Sequence, residues 1–118
     1  MSRAIGPRID RGRIFQIEQT MLADKAAARE ATERVRGLAD QARELRREID
    51  RIERQGYALT ASASREQADA ISSRNGRVQA LQPKIDAASQ ECEAARQRAE
   101  ASRELWKRCR EYAGLEVA

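Results

Sequence analysis

Residues 14–52 read IFQIEQTMLADKAAAREATERVRGLADQARELRREIDRI, and their apolar members return on a seven-residue cycle. With Ile14 as position a, the a sites are Ile14, Met21, Ala28, Val35, Ala42 and Ile49. The d sites are Ile17, Asp24, Ala31, Leu38, Leu45 and Ile52, so Asp24 alone interrupts an apolar stripe. A stripe this long, flanked by charge, keeps one helix face against a partner helix, which is the signature of a coiled coil.

Outward from this stretch, Gly6 and Pro7 suit the opening of the helix, because Pro is tolerated in a first turn. Gly56 can supply a left-handed cap at its end. The next residues, GYALTASAS (56–64), are small and polar enough for a turn, and Ser64 with Gln67 forms a capping-box pattern for a second helix. The cycle resumes with a sites at Ile71, Val78, Ile85, Cys92, Ala99, Trp106 and Ala113. Leu81, Ala88, Ala95, Ser102 and Cys109 fall at d, with Arg74 the misfit, and Gly114 closes the pattern. An interior Pro removes a hydrogen bond and bends or ends a helix, so Asn75 to Pro83 is the expected weak point. Pro83 nonetheless falls at an outward f site and leaves the heptad phase intact.

Two seams of similar length joined by a short turn favour antiparallel pairing. The fold class expected is therefore all-α: a long antiparallel two-helix coiled-coil hairpin, its second helix kinked or broken near Asn75–Pro83. It forms one domain over 1–118, with helices at about 7–55 and 64–113 around a turn at about 56–63, and a short C-terminal tail. If paired positions sum to 123, every a site meets a d site, and small Ala and Cys residues face one another mid-seam. That register also sets Glu18 near Arg103, Arg34 near Glu91 and Glu48 near Arg77, against one repulsive pair, Lys25 with Arg96.

Composition narrows the function. The chain is 36% charged and 3% aromatic, too polar for a thick core, yet rich in helix-favouring residues. Twenty of its 23 basic residues are Arg, which codon bias alone can explain. It has no histidine, which excludes His-based acid–base, nucleophilic and metal chemistry. With no phosphate-cradling glycine loop and no Cys-x-x-Cys, the expectation is a non-enzyme without catalytic residues, cofactor or metal. No run approaches the ~20 apolar residues of a membrane span. The start, MSRAIGPRID, lacks an apolar signal core, so the expected location is the cytoplasm or the inside of an assembled particle.

The end carrying both termini stands apart. Phe15 and Leu22 occupy successive b sites, Leu105 and Tyr112 successive g sites, and Trp106 is nearby on the seam. Part of this group would plug the open end of the hairpin, and the rest would form an exposed patch for a partner. The same end is basic: Arg3, Arg8, Arg11, Arg13, Arg103, Lys107, Arg108 and Arg110 outnumber Asp10, Glu104 and Glu111. The candidate partner-binding residues are Arg8, Arg11, Arg13, Phe15, Leu22, Leu105, Trp106, Arg108 and Tyr112. Cys92 and Cys109 lie too far apart on one helix to bridge each other; they are read first as small seam residues, and otherwise as an intermolecular disulfide in an assembly.

Two stretches carry a family resemblance, RGRIFQIEQTMLADKAAAREATERV (11–35) and KIDAASQECEAARQRAEASRELWKRCREY (84–112). In organisation and composition they resemble the small stalk proteins of bacterial type III export systems, FliJ of flagella and YscO of injectisomes. The resemblance implies an antiparallel two-helix coiled coil whose terminal end docks an export ATPase ring and which contacts the export gate and escort chaperones. The leading expectation is thus a non-enzymatic coiled-coil adaptor or stalk with protein partners in a large assembly. The alternatives are a structural component of a phage virion or similar particle, completed by neighbouring copies as a homo-oligomer, and a basic coiled coil binding nucleic acid. Nucleic acid is disfavoured because no binding motif is present.

Overall fold

The computed structural model describes residues 11–56 and 60–114. They form two α-helices, α1 (Arg11–Arg54) and α2 (Ala61–Tyr112), and no strand among the described residues. The expected opening of the first helix at Gly6 and Pro7, and the positions Arg3 and Arg8, lie outside these residues.

The heptad cycle is realised in burial. All twelve a and d sites of α1, Ile14 through Ile52, are buried or half-buried. So are the twelve of α2 from Ile71 to Cys109, while Ala113, beyond the helix end, is exposed. Half of the eight buried apolar residues among the described residues are alanines (Ala31, Ala42, Ala88 and Ala95). The seam is therefore narrow, and each position removes less apolar area from water than a Leu or Ile would at ~25 cal/mol per Å².

The paired helices divide into two compact units. One holds residues 1–30 and 92–118, the other Ala31–Glu91. In the first, Ile14 and Cys109 are buried at 5% and 7% exposure, and the Ser102 hydroxyl donates to the Asp24 carboxylate across the pair. Asp24, the one polar residue in the α1 stripe, is thus answered by a hydroxyl at a d site of α2.

The second unit contains the turn and the other seam misfit. Arg74 donates through Nε to Glu48 at 2.9 Å, and through a terminal nitrogen to the Ala70 carbonyl at 3.1 Å. Glu48 therefore pairs with Arg74 and not with Arg77. A guanidinium on the seam must be neutralised to tolerate its partial desolvation, whereas Arg77 is fully served by water. Arg34 does lie opposite Glu91, at 3.9 Å and well exposed, as the register requires.

The helix ends follow from local chemistry. Gly56 adopts φ 79°, the left-handed conformation that a glycine enters without strain. The α2 N-terminus is capped by Thr60 and not by Ser64. The Thr60 hydroxyl accepts from the Ala63 N–H at 3.0 Å, and its carbonyl takes the Ser64 N–H at 2.9 Å. Gln67, expected to complete a capping box, instead donates its side-chain amide to the Ile52 and Gly56 carbonyls at 2.9 and 3.0 Å. It adds a donor to two carbonyls at the end of α1, of which that of Ile52 also accepts from the Gln55 N–H at 3.2 Å, and so ties the two helices together beside the turn. At the other end Gly114 closes α2 with φ 73°.

Helix α2 runs without interruption through Asn75, Gly76 and Pro83, which sets aside the broken-helix alternative. Pro83 is exposed at its f site. The acceptor that it leaves without a helical donor can be hydrated, and its ring meets no partner helix.

Two stability outcomes are expected, both readable by thermal unfolding followed by circular dichroism. Thr60→Ala should cost ~1 kcal/mol through loss of the cap, while Ser64→Ala should have little effect. Arg74→Leu should raise the midpoint by restoring an apolar d site, because an ion pair on a seam is often outperformed by hydrophobic packing. Arg74→Ala should lower it.

Candidate partner-binding surface

Arg11 and Arg13 stand in the first described turn of α1. Both side chains are exposed. One turn further, Phe15 is 60% exposed, and Leu22, two turns beyond that, is 45% exposed. On α2, Leu105 and Tyr112 are 53% and 60% exposed. These four are the large apolar side chains that stand exposed among the described residues, and all lie in the unit holding the termini.

Trp106 differs from them. It is half-buried, with the Arg110 guanidinium 5.0 Å from its ring centroid, and its buried indole N–H meets no acceptor among the described residues. Within the aromatic and leucine group only Trp106 is half-buried among the described residues; Phe15, Leu22, Leu105 and Tyr112 face water.

The exposed residues do not make a single patch. In an antiparallel pair, e sites lie beside e sites along one flank and g sites beside g sites along the other. The g–g pair Arg34–Glu91 shows this arrangement in one unit, and the d–d bond of Ser102 to Asp24 marks the d/g side of the other. Leu105, Arg108 and Tyr112 follow one another at helical spacing on the d/g side. Phe15 and Leu22, at b sites, border the a/e side.

That a/e side is where the unit opens. Met21, Lys25, Ala99, Glu100, Arg103 and Trp106 line a cleft of about 520 Å³. Three of these, Met21, Ala99 and Trp106, are seam residues at a sites, and Lys25 and Arg103 are the e sites beside them. Along this flank α1 presents Arg11, Lys25 and Arg29 against Glu18. Helix α2 presents Arg96, Arg103, Lys107 and Arg110 against Glu93 and Glu100. Seven cations thus share this flank with three carboxylates; Arg96 sits 3.9 Å from Glu93, and Arg110 lies over the Trp106 ring. Met21, Lys25 and Arg103 are absent from the sequence-based set of partner residues. Sorting the charges by e and g position, and not by chain end alone, would have found Lys25 and Arg103.

The cysteines sit on the seam. Cys109 is buried at 7% exposure and Cys92 is half-buried. A disulfide from Cys109 to another chain would require the seam around it to open.

No protein-family model, curated protein or solved structure matches the chain. Among the described residues no helix is long and apolar enough to cross a membrane.

Seam burial leads to an expected order of thiol reactivity. Under native conditions a maleimide should label Cys92 faster than Cys109, and the two rates should converge in denaturant. Mass spectrometry of the labelled peptides reads both; equal native rates would contradict the burial of Cys109.

Proposed function

We propose that this chain is a non-enzymatic helical-hairpin adaptor that binds protein partners through the unit holding its termini. One observation carries the reading: the exposed large apolar side chains Phe15, Leu22, Leu105 and Tyr112 all belong to that unit, amid an excess of Arg and Lys. Exposed aromatic and leucine side chains set among arginines have the composition of a protein-binding surface. Isolated exposed apolar residues are commonplace, but these recur at seven-residue intervals on each helix and so repeat along its axis.

The Ala-rich seam supports the same reading. A narrow two-stranded interface leaves a small stability margin, and binding of the folded state by a partner adds to it. In concrete form, and following the likeness of residues 11–35 and 84–112 to FliJ and YscO, the role is that of a stalk in a type III export assembly, with the terminal end as the docking end. A bare phosphate backbone would use the arginines but leave the apolar stripes without a function, so a protein partner accounts for more of the surface.

The test is reversal of the terminal charges. Arg8→Glu, Arg11→Glu and Arg13→Glu together should leave helicity unchanged by circular dichroism. They should reduce co-purification of partner proteins from the native source at least tenfold relative to the unaltered chain. Unchanged co-purification would refute docking through this end.

A further inference from the structure

We propose that the a/e flank of the terminal unit is a groove for a third helix, an acidic amphipathic helix contributed by a partner protein. This deepens the adaptor reading and rests on it. The groove is built from the seam itself: Met21, Ala99 and Trp106 occupy a sites, yet they line an open cleft of about 520 Å³. A third helix laid along the flank would cover those seam residues and bring the two-helix pair to a three-helix arrangement.

The chemistry of the occupant follows from what borders the cleft. Lys25 and Arg103 outnumber Glu100 at its rim, on a flank with seven cations against three carboxylates. Beside it Phe15 and Leu22 are spaced seven residues apart, about 10.5 Å at the helical rise. An apolar stripe repeating every two turns meets them and the cleft together, and Glu or Asp on either side of that stripe meets the rim.

Two other occupants fit less well. A second copy of this flank would set Lys25 and Arg103 against the same cations, a like-charge contact that disfavours self-pairing. A nucleic acid would neutralise the rim but would leave Phe15, Leu22 and the cleft walls without apolar cover.

Trp106 is the only tryptophan of the chain and lines the cleft, so its fluorescence reports occupancy directly. The probe is a synthetic helical peptide of three heptads without Trp, with Leu at a and d and Glu at e and g. Titrated into the full chain, it should shift Trp106 emission saturably, and the affinity should fall as salt is raised. The Lys25→Glu/Arg103→Glu variant, checked for unchanged helicity, should bind at least tenfold more weakly. A peptide with Lys in place of Glu should give no saturable shift.

The proposal is overturned if the acidic peptide gives no saturable shift, or if the basic peptide or a DNA duplex binds equally well. It is also overturned if the variant binds like the parent, or if light scattering shows a dimer that the acidic peptide does not dissociate. Failure here with the terminal charge-reversal effect intact removes the groove and leaves the adaptor reading; loss of both removes the adaptor reading as well.

Discussion

Contact between the a and d side chains of two helices, in a seam only one side chain deep, underlies everything else in this protein. There is no second layer to share the work of exclusion from water. Every seam position of both helices is at least half-buried, and yet among the described residues no side chain falls below 2% exposure. A fold of this kind has little apolar area to spend, so its polar seam positions need individual answers. Asp24 receives the Ser102 hydroxyl, and Arg74 receives Glu48. Sliding either helix by a heptad would separate both pairs and leave a carboxylate and a guanidinium half-buried without them. The two interruptions therefore favour one register over its neighbours, a use of polar residues known from coiled coils.

The narrow seam also shapes the surface. Because each helix buries a stripe and leaves the rest to water, the identity of the b, c, e and g residues is free to serve binding. In the terminal unit that freedom is used asymmetrically. The a/e flank gathers cations around an opening in the seam, and the d/g flank carries Leu105, Arg108 and Tyr112 beside a closed hydrogen bond. A hairpin with two unlike flanks can engage two unlike surfaces. That capacity suits a chain whose proposed role is to connect partners.

Much of this was legible in the residues. The heptad cycle placed both seams, and the outward position of Pro83 and the glycine stops at Gly56 and Gly114 followed from one-residue arguments. The turn was harder to read. Ser64 and Gln67 match a capping box, but Thr60 lies nearer the end of α1 and starts the helix a turn earlier, which frees Gln67 to reach across. Capping patterns specify an interaction and not its position, and a nearby Thr outcompeted Ser64. Arg74 looked like a defect because a helical pattern shows a side chain's origin and not its reach. Its long stem carries the guanidinium out to the g site of α1, where Glu48 waits. The candidate surface was found as a chain end, and its division into flanks required the antiparallel geometry.

Gly76 and Pro83 share one further property. Both occupy f sites, seven residues apart on the outermost line of α2, within the unit that holds the turn. A glycine softens a helix and a proline deletes a hydrogen bond from it, so this line is where the helix has the least resistance to flexing. The opposite face is held by seam contacts at Val78, Leu81 and Ile85. Bending stiffness in this stretch is consequently directional: α2 can curve about its weakened outer edge while its inner edge stays in register. Compliance of that kind would allow the hairpin to conform to a curved surface without exchanging a single seam contact.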